Sequence, residues 1–468
     1  MSESGPMRER ELHFIAIGGA GMSGLALISV GLGATVTGSD RAESSYLERL
    51  RAAGLEPRVG HDAGAVPAGA DVVVSTAIGE DNPELQIARE RGQRVMHRSE
   101  LLAELTADRR LIAVAGAHGK TTTSGMVAHA LRVCGADPAF VLGGELPGGA
   151  PGGGPANAGW GEGPVTVAEA DESDGSFLAL EPEVALVTNI ELDHHSHWAG
   201  EAELWGAFSR FCSSAERIVR PPGRAFEALG PGTTFAVAPA GGARGAAADF
   251  SASAIQPNAG GSAFDLTTPG DGVIEVELAI PGRHNVANAT AALASMAAAG
   301  AGSSLPPLAD LAGALASFPG MARRQERKGE RNGALIYDDY AHHPTEVAAA
   351  LDALAELPHR RLIAVFQPHL YSRTKALAPR FGRALAAADV IGVLDVYPAR
   401  EEPVGELAGV SGLMVARAAA SAAPGRRVAW LEDAETAARV LGPELGAGDI
   451  LVTIGAGDVF ELAERLID

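Results

Sequence analysis

Short apolar runs alternate with stretches of helical periodicity along most of the chain. In the first part, residues 12–17, 34–37 and 71–75 form such runs, and each is followed by a turn or a polar cluster. The first run leads into the glycine-rich turn 18–24, which precedes an Ala/Leu-rich stretch typical of a helix. Strands that alternate with helices predict a parallel sheet. We therefore predict a Rossmann-like α/β domain over residues 1–107.

The same pattern restarts at Arg110. An apolar run to Ala115 leads into the turn 116–120, and a helix is predicted from Thr121 to about Cys134. Two further strands are predicted at 165–168 and 184–187, and each is followed directly by polar residues. Polar clusters after strands indicate a site at the carboxyl edge of a sheet. We predict a central α/β domain of the P-loop ATPase type over residues 108–318.

A proline-containing break at 317–320 precedes a third alternation of strands and helices. Its strands are predicted at 334–337, 362–366, 390–394 and 450–454. The third domain, residues 319–468, is therefore also expected to be Rossmann-like α/β. Three domains agree with 468 residues at roughly 150 residues per domain. The glycine- and proline-dense stretch 143–163 predicts a surface loop, to which we assign no function.

Composition excludes several classes of protein. The chain is 46% hydrophobic and 20% charged, which indicates packed cores. A net charge of −21 opposes nucleic-acid binding. Cys134 and Cys212, the two cysteines, lack the spacing of a disulfide framework or a zinc site. Without a signal-like segment or an apolar run of membrane-spanning length, we expect a soluble cytoplasmic protein that does not insert into membranes.

The turn after the predicted strand at 110–115 has the residues of a phosphate site. Its backbone N–H groups can surround phosphates, a lysine can reach the terminal ones and a threonine hydroxyl can bind magnesium. Val114 stands where the usual P-loop template requires a glycine. Taken alone, the turn could therefore be an ordinary one. The residues of this loop are Gly116, Ala117, His118, Gly119, Lys120, Thr121 and Thr122.

This short loop resembles that of the Mur ligases, three-domain enzymes that form amide bonds. Residues 169–177 resemble the acidic magnesium-binding segment of the family, and residues 188–194 resemble the segment whose histidine serves a second magnesium. The resemblance implies ATP and Mg²⁺ as cofactors, with Thr121, Glu169 and His194 as metal ligands. Without it, each histidine of the run 194–197 is more readily explained as a surface or structural residue.

The nucleotide contacts implied by the resemblance continue in the second half of the chain. Residues 282–289 resemble the segment that contacts adenine and ribose, with Asn285 and Asn288 as its amides; without the resemblance, helix capping is the alternative role for Asn285. Arg324 is implied at the phosphates and Asp339 at the ribose hydroxyls.

Three runs narrow the resemblance to the alanine-adding branch of the family: DDYAHHPTE at 338–346, FQPHLYSRT at 366–374 and DVYPAREEP at 395–403. The resemblance then implies that the γ-phosphate of ATP passes to the lactyl carboxylate of UDP-N-acetylmuramate, and that L-alanine attacks the acyl phosphate. A monomer or homodimer is expected. The catalytic residues implied are Lys120, Glu169, His194, Arg324 and His342, the last near the incoming amino acid.

The N-terminal glycine turn permits two interpretations. Gly19, Gly21 and Gly24 satisfy GxGxxG and Asp40 lies where a dinucleotide-binding protein places its ribose acid, so a nicotinamide dehydrogenase is one alternative. In the resembled ligases the loop binds the UDP diphosphate. The N–H groups at a helix N-terminus suit the diphosphate of either ligand, UDP or a dinucleotide. The substrate-binding candidates are Gly19, Ala20, Gly21, Met22, Ser23, Ser39, Asp40, Ser75, His97, Arg98, His342 and Arg373.

Three further alternatives remain at this stage: a recycling ligase that adds a tripeptide to the same UDP-sugar, a ligase that adds a later amino acid, and a nucleotide-binding regulatory protein without catalysis. One departure from the wider family concerns the second metal, which several relatives hold with a carbamylated lysine. The chain has no lysine between Lys120 and Lys328. A carbamylated lysine elsewhere in the central domain is therefore impossible, and we expect activity to be indifferent to bicarbonate.

Overall fold

The computed structural model describes residues 7–150, 154, 156–192, 197–239, 247–258, 260–270, 272–300, 305–399 and 401–467. The described residues build three sheets of five, ten and six strands. They fall into two compact units. The first lies within residues 1–254, 264–277 and 287–319 and holds the five-stranded sheet and most of the ten-stranded sheet. The second lies within 255–263, 278–286 and 320–468 and holds the six-stranded sheet.

The five-stranded sheet is parallel throughout, with the order β3-β2-β1-β4-β5. Strand order reverses between β1 and β4, which opens a crevice at their carboxyl ends. The strand predicted to reach Ile17 ends at Ile15, since Ala16 has a φ of 63°. The elements are β1 (Glu11–Ile15), α1 (Ala20–Gly31), β2 (Thr35–Asp40), α2 (Ser45–Ala52), β3 (Arg58–Val59), β4 (Asp71–Val74), α3 (Pro83–Glu90), β5 (Val95–His97) and α4 (Arg98–Thr106).

The ten-stranded sheet has the order β15-β14-β13-β12-β11-β10-β6-β9-β7-β8. Its centre is parallel and fully buried, which explains why β6 and β10 appear in the sequence as unbroken apolar runs. The strands are β6 (Arg110–Ala115), β7 (Ala139–Leu146), β8 (Ala156–Gly159), β9 (Val165–Glu169), β10 (Val184–Val187), β11 (Arg217–Arg220), β12 (Thr233–Val237), β13 (Phe250–Asn258), β14 (Gly261–Thr268) and β15 (Gly272–Leu278). The helices are α5 (Lys120–Val133), α6 (Glu201–Ser213), α7 (Arg224–Glu227), α8 (Arg283–Gly300) and α9 (Leu308–Ala314).

The stretch 143–163 is not the simple surface loop that its composition predicts. Its start belongs to β7, and its end contains β8, which pairs antiparallel with β7. Ala156, Asn157 and Ala158 are buried, and Ala158 belongs to the same apolar cluster as the residues of α1. Small side chains allow this close packing, and they also remove the apolar pattern by which a strand is recognised.

The six-stranded sheet has the order β16-β17-β21-β18-β19-β20, and only the β16–β17 pair is antiparallel. Its buried centre again matches the predicted apolar runs. The elements are β16 (Glu326–Arg331), β17 (Ala334–Asp339), α10 (Pro344–Ala355), β18 (Arg361–Phe366), α11 (Tyr371–Leu385), β19 (Val390–Val393), α12 (Gly412–Ala422), β20 (Arg427–Trp430), α13 (Ala434–Leu441), β21 (Asp449–Ile454) and α14 (Phe460–Ile467).

The predicted α/β class, with its three successive sheets, is confirmed. The domain limits at 107/108 and 318/319 stay predictions. Among the helices of the described residues, none has both the length and the apolar composition needed to span a bilayer.

Candidate active site

The predicted phosphate loop joins β6 to α5, and two of its glycines have backbone conformations that other residues rarely adopt. Gly116 has a φ of 138° and Gly119 a φ of 80°. A Cβ atom at Gly116 would lie 2.1 Å from Thr188 Oγ1, and one at Gly119 would lie 2.5 Å from Asn288 Oδ1. Both positions therefore require glycine. The turn brings the N-terminus of α5 to the carboxyl edge of the sheet, where anions bind favourably.

The Thr188–Asn189 pair fixes the conformation of this loop. Asn189 Oδ1 accepts a hydrogen bond from the His118 N–H at 2.9 Å, and Asn189 Nδ2 donates to the His118 carbonyl at 2.8 Å. Thr188 Oγ1 donates to the same carbonyl at 2.7 Å. Because β10 lies parallel beside β6, its carboxyl end meets the loop directly. The segment thus has a structural role that sequence reasoning did not assign to it.

Lys120, the first residue of α5, lies among carboxylates. Its Nζ donates hydrogen bonds to Glu172 Oε2 and to the Gly116 carbonyl, each at 2.7 Å. Burial disfavours the charged ammonium, but Glu172, Asp171 and Glu169 outweigh it and raise the pKa of Lys120. The lysine is therefore a permanent cation at the loop, as contact with phosphate oxygens requires.

The carboxylates at the end of β9 and just after it have different partners. Glu169 Oε2 accepts a hydrogen bond from the Gly143 N–H at 2.8 Å. Burial raises the pKa of the Glu172 carboxyl to about 7, while Lys120 opposes this shift. Burial also opposes ionisation of Asp171, but Lys120 and Arg98 prevail and lower its pKa to about 2. Glu169 is the carboxylate that the resemblance assigns to magnesium, whereas the pairing of Glu172 with Lys120 could not be predicted from the sequence.

The predicted metal ligands are described only in part. Thr121 is buried in the first turn of α5, and Glu169 ends β9, the neighbour of β6. The hydroxyl and carboxylate oxygens suit a hard cation such as Mg²⁺. His194 and His195 lie outside the described residues. The His197 ring packs against Trp198 with centroids 4.5 Å apart, which supports a structural role for that histidine.

The N-terminal glycine turn is held by Asp40. The Gly18 N–H donates to Asp40 Oδ2 at 2.8 Å, and a Cβ at Gly18 would lie 2.8 Å from the same oxygen. Asp40 therefore shapes the turn that precedes Gly19, Ala20, Gly21, Met22 and Ser23, the start of α1.

Asn157 of β8 donates hydrogen bonds to the Ala20 carbonyl and to Ser23 Oγ, so the central sheet also supports the start of α1. Ser39 is buried, with its hydroxyl held by Glu84 and His61. Ser75 is half-buried at the end of β4.

Arg98 lies between this turn and the acidic segment. Its guanidinium donates to Asp171 Oδ2 at 3.1 Å and to Asp174 Oδ2 at 3.5 Å. A Cβ at Gly21 would lie 3.0 Å from Arg98 Nη1, so the cation also faces the start of α1. Beside it, His97 caps α4 and its Nε2 lies 3.9 Å from Asp174 Oδ2. Burial lowers the pKa of His97.

In the second compact unit, Asp339 ends β17 as a buried acceptor. It accepts hydrogen bonds from the N–H groups of Gln325 at 2.9 Å and Ala341 at 2.8 Å. Burial raises its pKa to about 6, although Arg324 opposes the shift. Arg324 lies 3.7 Å from Glu346 Oε1, and its guanidinium is 5.2 Å from the Tyr340 ring centroid.

The two predicted adenine-contacting asparagines have different surroundings. Asn285 is buried in the second unit, where its Nδ2 donates to the Pro281 carbonyl at 2.7 Å and to Gln325 Oε1 at 3.3 Å. Asn288 belongs to the first unit and lies against Gly119 of the phosphate loop. The nucleotide contact of each asparagine therefore stays a separate prediction.

The alanine-branch runs meet at the carboxyl edge of the third sheet. The rings of His342 and His369 are 6.1 Å apart, and His369 stacks on Tyr397 at 5.8 Å. Arg373 Nη1 lies 3.4 Å from His369 Nδ1. Three segments distant in sequence thus place imidazole, phenol and guanidinium groups in one cluster.

Comparison with known proteins supports the interpretation of these features. The Mur ligase catalytic-domain model matches residues 11–110, the Mur ligase middle-domain model 165–296 and the glutamate ligase domain model 323–457. A UDP-N-acetylmuramate--L-alanine ligase of Kineococcus radiotolerans is 47% identical, over 99% of this chain and 97% of that protein. The chain belongs to the Mur ligase family. A protein of the same name from Streptomyces coelicolor is 43% identical, over 97% of this chain and 96% of that protein.

Solved structures agree with this membership of the Mur ligase family. The UDP-N-acetylmuramate-alanine ligase of Thermotoga maritima has a TM-score of 0.82 at 26% identity, with 98% of both chains covered. A murein peptide ligase of Psychrobacter arcticus has a TM-score of 0.68 at 25% identity, also with 98% of both chains covered.

One turn of this Mur ligase has a role at the site that was not predicted from the sequence. Residues 455–458 follow β21, and Arg323 Nη2 donates to the Gly455 carbonyl at 2.8 Å. Asp458 accepts from Gln367 Nε2 at 2.6 Å, and the Val459 N–H donates to Gln367 Oε1 at 3.1 Å. The Gly455 N–H donates to the Asp339 carbonyl of β17 at 2.9 Å. The turn therefore ties the ends of β17, β21 and β18 together at the edge that carries the cluster. A GxGD sequence after a buried strand was the available signal.

Proposed function

We propose that the chain ligates L-alanine to the lactyl carboxylate of UDP-N-acetylmuramate with ATP, as a step of peptidoglycan precursor synthesis. The observation that carries the proposal is the phosphate loop, where Lys120 is held as a cation at the N-terminus of α5 and carboxylates surround it. The relatives named for this reaction, 41–47% identical over nearly the whole chain, support the choice of substrates.

The reaction has two steps. A carboxylate oxygen of the UDP-sugar attacks the γ-phosphorus of ATP, the bond to the bridging oxygen breaks, and ADP leaves. The alanine amine then attacks the acyl carbon, the amide forms, and phosphate leaves with the electrons of the C–O bond while the nitrogen loses a proton. Lys120 and the N–H groups of the first α5 turn stabilise phosphate charge. Arg324 is proposed as a further phosphate contact.

Magnesium fits the chemistry of the first unit. Thr121 and Glu169 offer a hydroxyl and a carboxylate, and the carboxylates near the loop create a negative potential strong enough to raise the pKa of Lys120. Bound Mg²⁺ would neutralise charge on the phosphates that are transferred. We propose Thr121 and Glu169 as its ligands. His194 stays a proposed ligand on the resemblance alone.

The remaining contacts are proposed for the other substrates. The turn at Gly19–Ser23, supported by Asp40 and Asn157, suits the UDP diphosphate. Arg98, which already binds carboxylates beside this turn, can exchange them for a phosphate. His342 and Arg373 are proposed at the amino acid, where a guanidinium suits its carboxylate. Asp339 is proposed at the ATP ribose.

The alternative functions require different ligands. A dehydrogenase would bind NAD at the N-terminal turn, and a recycling ligase would consume a tripeptide. We propose the cytoplasm as the compartment, since ATP is available there, and a monomer or homodimer as the assembly.

Mass spectrometry of reactions with UDP-N-acetylmuramate, ATP and either L-alanine or tripeptide tests the proposal. The expected product is the alanyl adduct. Calorimetric titration with NAD checks the dehydrogenase alternative: binding of NAD without binding of the UDP-sugar would overturn the proposal.

A further inference from the structure

The N-terminal sheet contains a buried carboxylate that the proposed chemistry does not use. Glu84 is 0% exposed and lies in the first turn of α3, where Asn82 caps the helix. A helix N-terminus favours a negative charge, which partly offsets the burial. A buried carboxylate is costly unless its hydrogen bonds are complete, so its partners indicate what it does.

Glu84 connects three segments of the sheet. Its Oε1 accepts a hydrogen bond from the Asp62 N–H at 3.0 Å. Its Oε2 accepts from Ser39 Oγ at 2.5 Å and lies 3.4 Å from His13 Nε2. Burial opposes ionisation, but these hydrogen bonds prevail and lower the pKa of Glu84. The carboxylate is thus ionised and can only accept hydrogen bonds.

This charge fixes the direction of the next hydrogen bond. The single proton of the Ser39 hydroxyl points at Glu84, because an ionised carboxylate has none to give. Ser39 Oγ also lies 2.8 Å from His61 Nδ1, and there the serine oxygen must accept. His61 Nδ1 therefore carries a proton. In a neutral imidazole the other nitrogen, Nε2, is then a hydrogen-bond acceptor.

His61 lies at the edge of the sheet where the UDP-sugar is proposed to bind. It follows β3, whose Val59 pairs with Asp40 of β2. The Gly60 N–H donates to the Asp40 carbonyl at 2.7 Å, and Asp40 holds the glycine turn. The His61 side chain is 21% exposed. A nucleoside whose diphosphate occupies the start of α1 extends over the end of β2, toward this side chain.

We propose that Glu84, acting through Ser39, holds His61 in the Nδ1–H tautomer so that Nε2 accepts a hydrogen bond from the uridine of the substrate. The inference rests on the proposed function. The uridine of a UDP-sugar offers three donors, the imide N3–H of uracil and the ribose 2′- and 3′-hydroxyls. If the imide is the donor, cytosine is rejected because its N3 is an acceptor. Glu84 and Ser39 are positioning residues, and His61 is the contact.

Nitrogen-15 NMR of wild-type protein at about pH 8, where an ordinary imidazole is neutral, reads the tautomer directly. The His61 signals are assigned by their loss in His61→Ala. We expect a protonated Nδ1 and an unprotonated Nε2. The reverse tautomer overturns the proposal, whether or not the chain is a ligase.

The variant Glu84→Gln tests the relay. Its amide oxygen must still accept from the Asp62 N–H, so its NH₂ group faces Ser39 and the serine proton turns toward His61. We expect the His61 tautomer to reverse. Glu56→Gln, at an exposed carboxylate just before β3, is the matched control and should leave the tautomer unchanged. An unchanged tautomer in folded Glu84→Gln overturns the relay.

Calorimetric binding of UDP, N3-methyl-UDP, 2′-deoxy-UDP and 3′-deoxy-UDP to wild type and His61→Ala identifies the donor. Loss of one hydrogen bond should weaken UDP binding by about 5-fold in His61→Ala. The analogue that lacks the true donor should bind wild type more weakly than UDP but should lose nothing further in His61→Ala. If all three analogues lose as much as UDP on this substitution, the contact is wrong. Failure of wild type to bind UDP at all would instead contradict the proposed function.

Discussion

The ammonium of Lys120 donates a 2.7 Å hydrogen bond to Glu172. This hydrogen bond holds the lysine beside the phosphate loop. The phosphates of a nucleotide must therefore compete with Glu172 for the positive charge of Lys120. Replacement of Lys120 by alanine should lower kcat by about 10²–10³-fold, the usual cost of removing one group that stabilises developing charge. Phosphate release at saturating ATP measures this. Lys328→Ala, in the other compact unit, is the control. Near-normal turnover of folded Lys120→Ala would remove the lysine from the mechanism.

The two positive-φ glycines that flank α5 allow a matched comparison. Gly119 has a φ of 80° and no room for a Cβ, whereas Gly135 has a φ of 76° and nothing within 4 Å of the Cβ position. Alanine at either site should cost about 1 kcal/mol of stability through backbone strain. Only Gly119→Ala should also abolish ATP binding, because Asn288 or the loop must move. Equal ATP affinities by calorimetry would show that the loop geometry is not needed.

Asp339 should make stability depend on pH. Its folded pKa of about 6 exceeds the ordinary 3.8, so its stabilising contribution is complete below pH 3.8 and is lost as pH rises through 6. Relative to Asp339→Asn, wild type should therefore lose up to about 3 kcal/mol of unfolding free energy between these pH values. Urea unfolding across this range measures it, with the exposed Asp352→Asn as control. Parallel curves for wild type and Asp339→Asn would contradict the raised pKa.

Metal dependence should follow the oxygen ligands proposed for the first unit. We expect activity to require Mg²⁺ and to ignore added bicarbonate, because the chain has no lysine between Lys120 and Lys328 to be carbamylated. His194→Ala should raise the Mg²⁺ concentration needed for half-maximal turnover while ATP binding persists, and Glu169→Gln should do the same. Magnesium titrations with and without bicarbonate test this. Superimposable curves would return His194 to a surface role, and bicarbonate rescue would require a different metal site.

The buried centre of each sheet could be predicted closely from sequence. The bounds of β6 and β10 agree with the predicted runs, since strands covered on both faces are apolar at every position. Edge strands could not be predicted in this way. β8 is built from small residues within a glycine-rich stretch, and β16 (Glu326–Arg331) is polar throughout.

In the candidate site, too, some residues could be identified from the local sequence and others only from the fold. The glycine turn itself identified Lys120, because its chemistry is local. Glu172, Asn157 and Glu84 act through partners 52, 134 and 45 residues away, so their roles depended on the fold.

Ligation of L-alanine to UDP-N-acetylmuramate is most directly tested by phosphate release with that UDP-sugar, ATP and Mg²⁺ while the amino acid is varied. We expect release to depend on all three, to be fastest with L-alanine, and to match formation of the alanyl product one for one. Release that needs a tripeptide, or that proceeds without the UDP-sugar, would contradict the assignment.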